Sequence, residues 1–322
     1  MTKYTEINES LDSLCGEGYE PACLWKERQL DPVQKIMTKY ILECGAKSDV
    51  VHSCLIAGWG TTQTVSRVID DSKDSFQMGI DFFSTACEAG NKRACTELAY
   101  AYERSSKHKN LKKAYQLYID SCQHGIMYGC TRVGWFYGDG LHVELNSEKR
   151  NQYLSFACSN GEGDACRYLG DYYSDKQVKL KWYDEGCEKQ SRMSCNSAAI
   201  KYDNGDGTDK NVAKAVELYK SSCSAKSGHA CYNLGLVYKD GGLGEPDLSQ
   251  ARQSFTEACQ QQHWMGCYQT GDFLLKGKGG EKEIEAGWKY MFSSCEGEYY
   301  AACHYIGYGY ANGEDLEQDG EK

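Results

Sequence analysis

Apolar residues recur at spacings of three and four over most of the chain, in short blocks that come in pairs. The segment Asn211-Val-Ala-Lys-Ala-Val-Glu-Leu-Tyr-Lys-Ser-Ser-Cys223 is the first block of one pair. Its leading Asn is a helix-capping residue, whose side-chain oxygen satisfies free amides of the first turn. Ala215 and Tyr219 then share one face of a three-turn helix, called helix A below. Other copies repeat that face, with a small residue eight before a cysteine (Ala114, Ala215, Ala251) and a large one four before it (Phe83, Tyr118, Leu154, Tyr183, Tyr219, Phe255, Met291). Capping residues stand twelve before the cysteine at Asn110, Asn146, Asp175, Asn211 and Asp247, with Ser75 in a sixth copy. The second block, as in Cys231-Tyr-Asn-Leu-Gly-Leu-Val-Tyr238, predicts a helix B. Four residues after its cysteine stands a small residue in eight of nine copies: Gly58, Ala99, Gly134, Gly170, Ala199, Gly235, Gly271 and Gly307. Glycine within a helix costs about 1 kcal/mol relative to alanine, so its recurrence at one position points to close helix–helix approach. Tyr102, Tyr137, Tyr173, Tyr202, Tyr238 and Tyr310 follow three residues later. They read mainly as core, with some hydroxyls left for an inner surface.

The cysteines set the register of these blocks. All 18 fall in consecutive pairs, and in eight pairs seven residues separate the partners. These are Cys15 with Cys23, Cys87 with Cys95, Cys122 with Cys130, Cys158 with Cys166, Cys187 with Cys195, Cys223 with Cys231, Cys259 with Cys267 and Cys295 with Cys303. The ninth, Cys44 with Cys54, has nine between. From Cys187 the first cysteine recurs every 36 residues. Sequence does not normally give connectivity, but a local spacing repeated this often makes pairing within each pair the simplest scheme. The first cysteine ends helix A and the second opens helix B. Gly90, Gly125 and Gly161, three after the first cysteine, suit the positive φ of a helix end. A disulfide there closes one hairpin at its turn and contributes roughly 2.5 kcal/mol by chain entropy. Stacking of hairpins supplies the remaining burial.

Composition adds three bounds. Only 3 prolines suit a helical chain and 34 glycines suit frequent turns. A formal charge of −10 argues against nucleic acid, whose phosphates need a basic surface. No run approaches the 18 apolar residues of a membrane span, so no membrane insertion is expected. The cysteine count points to an oxidising compartment, periplasmic or secreted. Residues 1–30 hold no basic start followed by an apolar core. The favoured reading is a leader removed and replaced by Met1; the rival is export by another route.

The unit Ala251…Phe255…Ala258-Cys259…Gly266-Cys267…Gly271 resembles a Sel1-like repeat. With a cysteine at each hairpin end, the chain resembles the Helicobacter cysteine-rich proteins. The likeness covers roughly residues 75–322 and implies an all-α fold, a right-handed α/α solenoid of hairpins related to the tetratricopeptide repeat. Residues 1–74 are expected to form two divergent hairpins capping the same solenoid, 75–312 the regular repeats, and 313–322 an acidic, frayed tail. A similar disulfide-bonded class occurs in the mitochondrial intermembrane space, the alternative location.

Chemistry is thinly supported. Structural zinc favours cysteines two to four residues apart, and no such pair exists, so neither metal nor cofactor is expected. The resemblance implies penicillin binding and weak β-lactamase activity in some relatives. Here the single Ser-x-x-Lys, Ser106-Lys107-His108-Lys109, lies in a polar loop, without Lys-Thr-Gly or Ser-Asp-Asn. No catalytic residue is therefore assigned. His124, His229 and His263 precede a second cysteine at differing offsets, and read as turn residues more readily than as a pH-sensitive or metal-binding row. Lys107, Lys109, Lys112 and Lys113 form a local basic cluster.

These readings lead to a monomeric scaffold that binds a protein or peptide on its concave face. The alternatives are a binder of β-lactam or peptidoglycan fragments, and an immunity or assembly factor for one cognate protein. Fixed positions have structural explanations, so binding is expected at variable ones. Gln116, Gln152, Glu217 and Gln253 form one such row on helix A; Asn233, Gln269 and Tyr305 form another on helix B.

Overall fold

The computed structural model describes residues 75–105 and 108–312. Two cysteine pairs, Cys15 with Cys23 and Cys44 with Cys54, lie outside the described residues. So do the expected cap at 1–74, Ser106, Lys107 and the acidic tail at 313–322. The described residues form fourteen α-helices and no strand. The chain divides into two compact units, 1–153 and 154–322. The first holds α1 (Ser75–Glu88), α2 (Lys92–Arg104), α3 (Leu111–Gln123) and α4 (Met127–Asp139). Helix α5 (Ser147–Ser159) crosses the division. The second holds α6 (Gly163–Asp171), α7 (Lys176–Glu188), α8 (Arg192–Asn204), α9 (Val212–Ser224) and α10 (Gly228–Lys239). It continues with α11 (Leu248–Gln260), α12 (Trp264–Lys276), α13 (Ile284–Glu296) and α14 (Tyr300–Asn312). Odd-numbered helices are helix A and even-numbered ones helix B, and the chain has the all-α architecture of an α/α solenoid.

Side-chain caps mark where most of the described helices begin, although α4, α6 and α13 start without one. The Asn110, Asn146, Asn211 and Asp247 side chains each accept from the amide three residues on, and Asp175 accepts from Gln177 and Val178. A second set of caps opens helix B. Asn91, Ser191, Ser227 and His263 do so, four residues before the second cysteine. Gly140, Gly205 and Gly277 end α4, α8 and α12 in the left-handed region.

The hairpin turn needs one left-handed residue, three after the first cysteine. Gly90, Gly125 and Gly161 supply it in three copies. Gln190, Lys226, Gln262 and Glu298 hold the same conformation in the other four, with φ between 59° and 66°. This turn brings the two cysteines of a hairpin together. Cys87 and Cys95, Cys122 and Cys130, Cys158 and Cys166, and Cys187 and Cys195 lie at disulfide distance. So do Cys223 and Cys231, Cys259 and Cys267, and Cys295 and Cys303. Each pair stays within its own hairpin, with Cα atoms 4.5–4.9 Å apart.

Packing between hairpins rests on the large residue of helix A. Phe83, Tyr118, Leu154, Tyr183, Tyr219, Phe255 and Met291 are all buried. In the second unit, Phe255 of α11 sits on Gly235 of the preceding helix B; a Cβ at Gly235 would lie 2.5 Å from Phe255 Cε1. At Gly271 a Cβ would meet Met291 Cγ and Gly287 O of α13, both at 2.9 Å. The helix-B tyrosines Tyr102, Tyr137, Tyr173, Tyr202 and Tyr238 are half-buried or buried, whereas Tyr310 of α14 is exposed. Lys214 Nζ lies 3.9 Å from the Tyr202 ring centroid, and Lys113 and Lys149 cover Tyr102 and Tyr137 in the first unit.

Candidate functional site

Helix geometry decides which variable positions reach solvent. At about 100° per residue, a position two residues from both core positions of helix A points away from the core. Gln116, Gln152, Glu217 and Gln253 occupy it, and all four are exposed. The bonds seen on this row are local: Gln152 to Glu148 at 3.4 Å and Gln253 to Glu257 at 3.0 Å. Such contacts are weak and leave the amides available to a partner.

The helix-B row is built differently. Asn233 Nδ2 donates to Asn196 Oδ1 of the preceding helix B at 3.1 Å. Tyr305 packs edge-on against Tyr268, with centroids 6.2 Å apart, and lies 5.9 Å from Trp288. Gln269 is half-buried. Arg132 stands at the same register in α4 and is buried against Glu103. Side chains on this row therefore join neighbouring hairpins, and variation among copies does not make them free.

The first unit also has a cleft between α1, α2 and α3, with a volume of about 570 Å³. Leu98, Tyr102 and Leu117 give it an apolar floor; Glu88, Lys113 and Gln116 stand on its rim. The size falls in the range of small-ligand sites, and the lining suits an apolar side chain with a polar or charged neighbour. The cleft joins one residue of the helix-A row to two members of the basic cluster, Lys112 and Lys113. Sequence alone did not separate this junction from an ordinary solvated helix start.

A buried polar cluster joins α2, α3 and α4. Arg132 Nε donates to Glu103 Oε2 at 3.2 Å and Nη2 to Glu103 Oε1, while Tyr118 OH donates to Glu103 at 2.9 Å. The guanidinium stacks over Trp135, 4.0 Å from the ring centroid. Burial, with the Glu103 charge beside it, pushes the Tyr118 phenol far up, so it remains a donor. The residues are 29 apart, and nothing in their spacing announces the pair.

The three turn histidines have different surroundings. His263 is buried, caps α12 by accepting from Gly266 N at 3.3 Å, and lies 4.7 Å from the His229 ring. Burial, and then the neighbouring His229, push its pKa down from 6.5 to about 4. Its place four before the second cysteine was the signal for a cap. His124, by contrast, is exposed and touches the Asp120 carbonyl at 2.8 Å. Glu257 Oε2 lies 3.3 Å from Cys223 Sγ, but that sulfur is bonded to Cys231 and is no thiolate ligand.

Residues 92–126, 128–162, 193–227, 228–263, 264–299 and 301–322 match the family model described as Sel1 repeat. The unmatched stretch between the second and third matches contains α6, nine residues long. Among solved structures, a protective antigen present in uropathogenic Escherichia coli strains superposes with a TM-score of 0.57 and 20% identity. That match covers 87% of this chain and 60% of the antigen, so the chain spans about three-fifths of that relative. A Sel1 repeat protein from Oxalobacter formigenes gives a TM-score of 0.56 at 19% identity, over 69% of this chain and 94% of its own. The Helicobacter pylori cysteine rich protein B is 31% identical over 40% of this chain and 97% of its own, with a TM-score of 0.32.

Proposed function

The chain belongs to the Sel1 repeat family, and from that premise we propose that it is an exported scaffold which holds another protein or peptide on its helix-A row. The observation that carries this reading is the exposure of Gln116, Gln152, Glu217 and Gln253, set against the packed state of the helix-B row. Repeat arrays present extended surface in this way, with side chains that differ from copy to copy. In the first unit the cleft beside Gln116 adds a pocket for one anchoring side chain, flanked by Lys112 and Lys113. Seven cysteine pairs at disulfide distance suit an oxidising environment outside the cytoplasm, periplasmic or secreted. Among the described residues no helix is long and apolar enough to cross a membrane.

The test is capture of a partner from the native compartment. Wild type should recover it. A variant with Gln116→Lys, Gln152→Lys, Glu217→Lys and Gln253→Lys should lose it at unchanged melting temperature, and Ser106→Ala should retain it. Retention by the fourfold variant, or β-lactam hydrolysis lost with Ser106→Ala, would refute the scaffold reading.

A further inference from the structure

We infer that the seam between α10 and α12, in the second unit, is a proton-operated joint: a proton on His263 uncaps α12 and loosens the α11/α12 hairpin from the α9/α10 hairpin. The seam has a construction that recurs. A residue that precedes helix B, four before the second cysteine, seats against the start of the preceding helix B. Ser191 does so on α6: a Cβ at Gly163 would stand 2.7 Å from Ser191 Cβ, and the Ser191 hydroxyl donates to Asp164. His263 does so on α10: a Cβ at Gly228 would stand 3.0 Å from His263 Cβ. The next residue, His229, brings its ring centroid to 4.7 Å from that of His263. At the register of the seam between these two stand Met193 and Ser227, and neither titrates. The α10/α12 seam therefore places two imidazoles where the α6/α8 seam has a serine–aspartate bond.

One proton disturbs this seam in three ways. His263 Nδ1 accepts from Gly266 N, and a protonated imidazole has no lone pair left to accept, so the cap is lost. The new cation stands at the N-terminus of α12, where the helix dipole is already positive. It also stands 4.7 Å from the His229 ring, which opposes the same charge. The remaining groups at the seam give no compensation. Tyr232 of α10 lies 4.8 Å from the His263 ring, and burial pushes its phenol up, so it stays neutral. Gln261 of α11 is uncharged and donates to Cys223 O at 3.4 Å. Glu257 of α11 has both oxygens placed elsewhere: Oε1 accepts from Gln253, and Oε2 lies 3.3 Å from Cys223 Sγ.

The direction follows from linkage. In the closed seam His263 is buried and keeps its proton off down to about pH 4; in an opened seam it meets solvent and takes the proton near 6.5. The closed form is therefore favoured above 6.5 and loses its advantage as pH falls towards 4. Between pH 7 and pH 5 the equilibrium constant for opening rises about twentyfold. His229 is exposed, so one side of the seam already faces water and the proton has a way in. The α6/α8 seam, tied by Ser191 and Asp164, has no group that changes charge in this interval.

The experiment is amide hydrogen exchange of the full chain with disulfides intact, at pH 7 and pH 5, corrected for the intrinsic pH dependence of exchange. In wild type, protection over residues 264–270 of α12 should fall roughly tenfold or more, as the linkage requires. In His263→Asn, and in His263→Ser, which carries the cap used at Ser191 and Ser227, a side-chain oxygen accepts at either pH. Protection of the same residues in these two variants should hold within about threefold, as should that of α8 in all three proteins. Wild-type protection of α12 that is equal at the two pH values would overturn the proposal. So would a fall of the same size in the variants, or in α8, because the proton would then act somewhere other than His263.

Discussion

Gly235 and Gly307 occupy one register position in two helices, and substitution by alanine should move stability in opposite directions. At Gly235 the added Cβ would stand 2.5, 2.6 and 3.0 Å from three ring atoms of Phe255. Ordinary carbon contacts lie near 3.5–4.0 Å, so ring and backbone must part by about 1 Å. The ring has little room to retreat: Phe255 is fully buried, with Phe273 at 5.3 Å and Tyr232 at 5.7 Å between centroids. Overpacking of this kind costs about 1–3 kcal/mol, against a gain of about 1 kcal/mol from alanine's helix propensity. The clash wins, and Gly235→Ala should be destabilising by about 1 kcal/mol. At Gly307 nothing opposes the propensity gain, and Gly307→Ala should be stabilising by up to about 1 kcal/mol. For a unit of this size, 1 kcal/mol corresponds to roughly 2–4 °C in Tm. Circular dichroism melts of the two variants and wild type, disulfides intact, measure both signs. Gly235→Leu should fall further, and Lys239→Leu, near the end of the same helix, should change little. Shifts of the same sign for the two alanine variants would refute the close-approach account of the repeat interface.

Three further outcomes follow from particular contacts. Gln190→Gly, Lys226→Gly, Gln262→Gly and Glu298→Gly should each be stabilising by about 0.5–1 kcal/mol in chemical denaturation, because glycine removes the strain of a left-handed residue; uniform destabilisation would contradict the turn argument. His263 stays neutral in the folded chain down to about pH 4, whereas an unfolded histidine takes its proton near 6.5. Its contribution is therefore intact above 6.5 and is lost as pH falls from 6.5 to about 4, by up to about 3 kcal/mol. His263→Asn, which keeps a capping oxygen, should flatten that part of the stability–pH curve; superimposable curves would sink the assignment. Glu103→Ala removes the carboxylate paired with a buried guanidinium and should cost about 3–5 kcal/mol, while Glu103→Leu combined with Arg132→Met should recover most of it. Equal losses in the two proteins, measured by urea unfolding, would show that the charge pair is not what matters there.

The parts of this fold that could be read from sequence are those where one physical demand selects one residue type in most copies. A cap on helix A calls for a short polar side chain, and Asn110, Asn146, Asp175, Asn211 and Asp247 supply it. The core calls for one large residue per hairpin, and the row from Phe83 to Met291 supplies that. Other demands admit several solutions. The helix-B cap is Asn91 in one copy, Ser191 and Ser227 in others and His263 in another, so the histidine looked like a surface turn residue. Four left-handed turn residues are not glycine and gave no signal of their conformation. The Glu103–Arg132 pair occurs in one copy, and no comparison between copies could reveal it.

The two variable rows show why variation alone does not single out a candidate binding face. Asn233 varies among copies, but its partner Asn196 lies in the neighbouring hairpin, so the pair is a local solution to a packing problem. Tyr305 likewise depends on Tyr268 and Trp288. Residues of this kind set how one hairpin sits on the next, and changing them alters every surface the array presents. An effect of Asn233→Ala on partner capture would therefore arrive with a loss of stability. Gln253 has an exposed side chain on the side of α11 away from the core, and its bond to Glu257 lies within its own helix. A change there can alter recognition without touching the fold. The separation of capture from melting temperature, residue by residue, is what distinguishes a binding position from a spacer in a repeat array. On the function proposed above, capture should fail without a change in melting temperature for the helix-A row, and together with a loss of stability for the helix-B row.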